Sequence, residues 1–462
     1  MNKIHSFILL IIFAFSNVLQ AQTKDEIEAQ RLIAASQTGG APLFFKVNHL
    51  GVSLVDTGKT KYINEFVMRG GLPNFFYKAK KANSLRLGYI GGSITKGDGM
   101  YRNQSANYIQ SMFPKSKMLG LNAGISGTGS DLGACRLDEQ ILKYHPDLVF
   151  IEFAVNGAYP QGVEGIIRQI RQFDSQIDIC LLYTMGVGQG ARYASGEVPK
   201  QIQDLEKVAE YYHIPSIHMG LSIGLMEKDG AVLWKGDPAL ETTKIVFSKD
   251  GTHPLTAGGN LYAAAVARSF EQMKTLDNSK LTTYTLTKPL YVDNWEDAKM
   301  IAPLDIAVFS KGWKKIDPKS SIEMNSFSPW FPYIITADQA GESFTFRFKG
   351  DYFGLFDIGG PEVGQLLITI DGKAANDIAD TTKKIKSNRF NSFCNNRYRG
   401  QYVKFNVPYG AHTVKFEISA TQPDKAAILG PTQQKDIQAH PEKYNRSVIY
   451  VGKILLKGVP LK

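Results

Sequence analysis

Between residues 84 and 274, short apolar runs alternate with stretches of helical spacing, and this alternation constrains the fold more than any other feature of the chain. The runs are "LRLGYIG", "KMLGLNAG", "PDLVFIEFAV", "IDICLLYTM" and "IPSIHM", each short and bounded by Gly, Pro or Asn, as buried strands are. Helical spacing falls between them near 102–113, 131–144, 161–174 and 199–213, and a last helix, "TAGGNLYAAAVARSFEQMK", closes the unit near 274. Strands separated by helices pair in parallel, and a parallel sheet needs both faces covered. The expectation is an α/β domain over 84–280 whose site lies at the carboxyl ends of its strands.

After "TLDNSKLTTYTLTKP" the helical periods fade. "SFTFRFKGDYFGLFDIG", "GQLLITIDGK", "QYVKFNVP", "HTVKFEIS" and "SVIYVGKILLKG" alternate apolar and polar residues between Gly or Pro turns, which predicts an antiparallel β-sandwich domain over 290–462. The aromatic residues there, including Trp313 and Trp330, suit a core; exposed faces on Trp330 and Phe331 would instead suit sugar binding. Residues 22–83 read as an N-terminal extension packed on the α/β domain, with "DEIEAQRLIAAS" as a helix and "APLFFKVNHLGVSLVD" as a strand pair.

The first 21 residues carry Lys3, an apolar core from Phe7 to Phe15 and Ala21 among small or polar residues, the layout of a secretory signal peptide. Export is the expectation, to the periplasm or beyond, with no lipid anchor because no Cys follows the apolar core. Cys135, Cys180 and Cys394 are an odd count with no metal-ligand spacing, and Cys135 and Cys180 sit in apolar patterns as buried thiols do. The eight histidines form no zinc signature, so no metal or other cofactor is expected. The net charge of +10 is scattered and builds no basic helix, which argues against nucleic acid and leaves an acidic polysaccharide as a partner.

The loop "LGYIGGSITKGDG" ends a strand in glycines and one small hydroxyl, which suits a bound phosphate or an attacking nucleophile. A P-loop needs Lys after its second Gly, and here Lys96 precedes Gly97. Three further polar segments fall at strand ends or before the last helix: "NAGISGTGS" with Gly127, "FAVNGA" with Asn156, and "SKDGTHP" with Asp250 and His253. Taken singly, each reads as a turn. Their order on successive strand ends is what points to a site.

With "IGGSITKG", "NAGISGTGS", "EFAVNG" and "DGTHP" in that order from about 88 to 254, the chain resembles the GDSL-like esterases, or SGNH hydrolases. The resemblance implies a flavodoxin-like α/β/α sandwich and metal-free ester hydrolysis. It implies Ser93 as nucleophile, His253 as base and Asp250 as the acid that orients it. The backbone N–H groups of Ser93 and Gly127 and the amide of Asn156 would form the oxyanion hole.

The chemistry needs those residue types. A serine hydroxyl is a weak nucleophile until an imidazole takes its proton, and the imidazole needs a carboxylate to hold its tautomer. Asp250 and His253, three apart, can share one side of a tight turn. Two features depart from known patterns. The family usually carries Asp after the Asn, where this chain has Gly157, so a looser turn is expected there; and Thr95 breaks the Gly-x-Ser-x-Gly elbow of the α/β-hydrolases. The reading is an exported carbohydrate O-acetylesterase acting on an acylated polysaccharide or oligosaccharide. A short-chain lipid esterase and a non-catalytic glycan-binding protein are the alternatives.

Overall fold

The computed structural model describes residues 41–48, 65–276, 279–375, 385–430 and 433–462. The signal-peptide segment, the helix read in "DEIEAQRLIAAS" and the second half of the early strand pair lie outside the described residues.

The first sheet holds β1 (Phe44–Lys46), β2 (Phe66–Val67), β3 (Ser84–Gly91), β4 (Lys117–Gly124), β5 (Leu148–Glu152), β6 (Asp178–Tyr183) and β7 (Ser216–His218), in the spatial order β1-β4-β3-β5-β6-β7-β2. The pairs β4/β3, β3/β5, β5/β6 and β6/β7 are parallel, the doubly wound order of flavodoxin-like sheets. Both edge strands come from the segment before residue 84 and are antiparallel: β1 on β4, and β2 on β7. Strands β5 and β6 are buried on both faces, which is why their sequences are apolar except for one buried acid at an end of each, Glu152 and Asp178.

Helices cover the sheet in two groups. Helix Pro73–Lys80 packs Phe75 and Phe76 against Phe270 of helix Thr256–Met273, which also meets helix Tyr101–Met112. Helix Pro160–Phe173 lies between Ser130–Gln140 and Lys200–Tyr211 and buries Val163, Ile166, Ile167 and Ile170, one helical stripe opened by a proline at its start. The chain winds outward from β3 to β4 and then returns past β3 to β5. The loops leaving β3, β4 and β5 therefore part at one crevice, the switch point where such sheets bind ligands.

Among the described residues the second domain is an antiparallel sheet of ten strands, dominated by Ser343–Gly359, Tyr398–Ile418 and Ile449–Leu461. These strands fold over on themselves. The rings of Phe346 and Phe353 are 6.1 Å apart, although seven residues of straight strand would span roughly 23 Å. The bend falls at a bulge between Gly350 and Tyr352, opposite residues 406–410 of the neighbouring strand. One sheet thereby makes both layers of the expected sandwich around Phe344, Phe353, Val414, Phe416, Ile454 and their neighbours. "QYVKFNVP" and "HTVKFEIS", read as two strands, are the two arms of this one bent strand. Trp330 and Phe331 are buried against Phe356 and offer no face to a sugar.

The stretch joining the domains is a strap pinned to the α/β unit by buried polar groups. Asn74 bonds both backbone groups of Thr282, Asp178 accepts from the Tyr284 hydroxyl at 2.6 Å, and Glu164 accepts the N–H groups of Leu290 and Tyr291. One continuous apolar cluster then crosses the boundary, taking in Trp295, Tyr352, Phe356 and Leu455. All three cysteines are buried free thiols. Among the described residues no helix is long and apolar enough to cross a membrane.

Candidate active site

The paired glycines at the end of β3 are required by close approach. A Cβ on Gly91 would stand 2.2 Å from Thr95 Oγ1 and 2.6 Å from the Glu152 carbonyl, and one on Gly92 would stand 2.0 Å from Asn156 Oδ1. Without side chains the strand can turn at once into the single helical turn Ser93–Lys96, seated on Gly124 of β4 and against Asn156. The turn places Ser93 at its N-terminus, where backbone N–H groups have no helical acceptor. Among the described residues the Ser93 N–H has no partner in the fold.

Ser93 Oγ lies 2.7 Å from His253 Nε2, and His253 Nδ1 lies 2.6 Å from Asp250 Oδ2. Asp250 Oδ1 accepts the backbone N–H groups of Thr252 and His253, both at 2.8 Å, and the Ser248 hydroxyl at 3.0 Å. One carboxylate oxygen therefore shapes the turn and the other is left for the imidazole. Partial burial pushes the Asp250 carboxyl up, but the donors on His253 and Thr252 outweigh this and hold it well below the usual range. An ionised Asp250 accepts a hydrogen bond from the His253 Nδ1–H, so Nε2 is the free acceptor facing Ser93.

The turn is carried by a feature absent from the sequence reading. Strands β8 (Val232–Lys235) and β9 (Ile245–Ser248) form a small parallel pair, and Trp234 Nε1 donates to the Gly251 carbonyl at 2.9 Å. Trp234 also stacks on Phe247, with ring centroids 4.1 Å apart.

Gly127 and Asn156 stand on the loops after β4 and β5, so all five residues singled out in the sequence meet at the switch point. The Asn156 oxygen is the buried half of its amide, against Gly92 and without a partner. Gly157 has φ +87°, and the N–H groups of Asn156 and Ala158 both donate to the Phe153 carbonyl, so the turn is closed by backbone bonds despite the missing Asp. A Cβ at Gly157 would meet nothing within 4 Å; the left-handed backbone, not space, calls for glycine there.

A cleft of about 490 Å³ opens beside these loops, lined by Gly127, Asn156, Tyr159, Trp295, Asp131 and, from the second domain, Tyr402, Lys404 and Asn406. Lys404 Nζ bonds the buried Asp131 carboxylate at 2.6 Å across the two domains. Apart from Gly127 and Asn156, sequence reasoning missed these lining residues. Tyr402, Lys404 and Asn406 are the polar face of an alternating strand, which in sequence looks like any solvent face. Among the described residues no cluster of His, Cys, Asp and Glu could hold a metal ion.

No family model matches the chain, and no curated protein matches it. Solved structures do. A two-domain esterase active on acetylated mannans, crystallised with mannopentaose, superposes with a TM-score of 0.65 at 20% identity, over 87% of this chain and 98% of that one. A second structure of a two-domain esterase active on acetylated mannans gives the same TM-score and identity over 87% of this chain and 99% of that one. At this identity the likeness is one of fold, and it runs through both domains.

Proposed function

We propose that the chain is an exported serine esterase of the GDSL-like type that removes acetyl groups from a decorated polysaccharide. The observation that carries this reading is the unbroken relay from Ser93 through His253 to Asp250, standing beside Asn156 at the switch point. In the first step His253 Nε2 takes the Ser93 proton as Oγ bonds the acetyl carbonyl carbon. The oxyanion that forms is met by the N–H groups of Ser93 and Gly127 and by the Asn156 amide. Collapse breaks the ester bond, and His253 returns the proton to the departing sugar hydroxyl. Water, deprotonated by the same imidazole, then bonds the acyl carbon, and as the bond to Ser93 Oγ breaks to release acetate, His253 returns the proton to Oγ.

The carbohydrate half of the reading rests on the cleft. Tyr159, Trp295 and Tyr402 offer aromatic surface, while Asp131, Lys404 and Asn406 offer hydrogen bonds, the mixture that suits a ring bearing hydroxyls. The fold neighbours that act on acetylated mannans support the same substrate class. A fatty acyl chain would need apolar area, since each methylene gains about 0.8 kcal/mol only where it is buried. Acetyl release from acetylated oligosaccharides is therefore expected to exceed hydrolysis of long-chain esters. With p-nitrophenyl esters, kcat/KM should fall steeply as the acyl group grows from about two to about eight carbons. A rate that climbs with chain length would replace the carbohydrate reading with a lipase-like one. Binding of glycans without any ester turnover would leave only the glycan-binding alternative.

A further inference from the structure

Glu152, the last residue of β5, is fully buried and plays no part in the relay, yet it gathers the segment that carries the nucleophile. Its Oε2 accepts the Thr95 hydroxyl at 2.8 Å and its Oε1 the Thr184 hydroxyl at 2.5 Å. The backbone N–H groups of Gly92 and Thr95, on either side of Ser93, face the same carboxylate and favour its charged form. The carbonyls of the same segment are held from elsewhere: Arg136 donates to Gly91 O at 2.9 Å, and Arg102 donates to Thr95 O at 2.9 Å. The turn is thus clamped through its donors by one buried anion and through its acceptors by two buried cations. Among the described residues no cation pairs with Glu152, so its charge is sustained by hydroxyls and N–H groups alone.

We propose that Glu152 is a positioning residue for the proposed esterase reaction: its ionised carboxylate fixes the Gly92–Thr95 backbone so that Ser93 meets His253 and the Ser93 N–H points at the oxyanion. The inference rests on Ser93 being the nucleophile. Burial raises the Glu152 carboxyl to about 7, against the pull of the Thr184, Thr95 and Gly92 donors. The ionisable groups facing it from neighbouring helices are the phenols of Tyr101 and Tyr262, both pushed up and kept neutral by burial. The clamp is therefore complete above about pH 7 and is lost as the pH falls through that value, when the carboxyl takes a proton and becomes a donor among donors.

Two variants of the full chain test this, Glu152→Gln and Thr184→Val. The readouts are the rate of Ser93 labelling by a fluorophosphonate, kcat and KM for p-nitrophenyl acetate, and the pH profile of kcat/KM. Glu152→Gln sets an amide nitrogen among donors, so labelling and kcat should fall together by about ten- to a hundredfold while KM moves less than about threefold. Thr184→Val removes one donor to the ionised carboxylate without touching the Ser93 segment, so the acid limb should move to higher pH. That variant carries the test if Glu152→Gln does not fold. Labelling of Glu152→Gln at the parental rate, or an acid limb unmoved in Thr184→Val, overturns the proposal. A parent protein that takes no label at Ser93 overturns the serine reading itself, and this inference with it.

Discussion

Ser93→Ala is expected to abolish ester hydrolysis, lowering kcat by about 10⁴-fold or more, while the fold stands. The hydroxyl bonds His253 and serves no structural partner in the fold, so its loss orphans no buried group. Alanine also suits the first position of the turn Ser93–Lys96 at least as well as serine does. What disappears is the atom that forms the acyl-enzyme, and neither an oxyanion site nor a bound substrate replaces it. The measurement is acetate release together with mass spectrometry after fluorophosphonate treatment: one adduct on the parent, none on the variant, with near-identical thermal unfolding. An adduct that persists in Ser93→Ala would move the nucleophile elsewhere in the chain. Unaltered turnover would remove the serine mechanism altogether.

The legibility of this molecule follows the range of the forces involved. Strand β4 coincides with "KMLGLNAG", because it is buried on both faces from Gly120 to Gly124, and such a stretch is apolar or small apart from Asn122. The relay and Asn156 were legible through the order of four short blocks and the family they resemble, since a Gly-Gly-Ser turn, an Asn after a strand or an Asp three residues before a His each reads singly as a turn. What escaped were features whose meaning depends on a distant partner. Strand β2 is the two residues Phe66 and Val67 and exists only as a partner for β7. Glu164 and Asp178 look like surface acids in their own segments, yet they are buried because the strap around Tyr284–Tyr291 brings N–H and O–H donors to them. Glu152 likewise reads as an odd charge in an apolar run, and its donors come from Thr184 and the Ser93 segment, both distant in the chain. Lys404 becomes a cleft residue only through Asp131, far away in the chain, and no pattern along its own strand announces that.

Asn156→Ala is expected to lower kcat by about 10² to 10³ and to leave KM for a small acetyl ester changed by only a few-fold. The asymmetry follows from when the bond is made. In the ground state the ester carbonyl carries little charge, and a donor aimed at it adds little to binding. As Ser93 attacks, that oxygen becomes an anion, and a preorganised donor is worth about 3 kcal/mol there because it need not reorient. Preorganisation is visible in how Asn156 is held: its N–H donates to Phe153 O, its amide oxygen is buried against Gly92, and the amide borders the cleft beside Gly127. Because the buried oxygen has no hydrogen-bond partner, truncation to alanine strands no donor and removes an unsatisfied acceptor. The fold should therefore lose little stability, and a fall in kcat can be read as lost transition-state stabilisation rather than unfolding. Fluorophosphonate labelling should slow as well, since phosphonylation places negative charge on an oxygen at the same position. A rise in KM with kcat unchanged would show that Asn156 binds the ground state, take it out of the oxyanion hole and leave the donors at Ser93 and Gly127 to act alone.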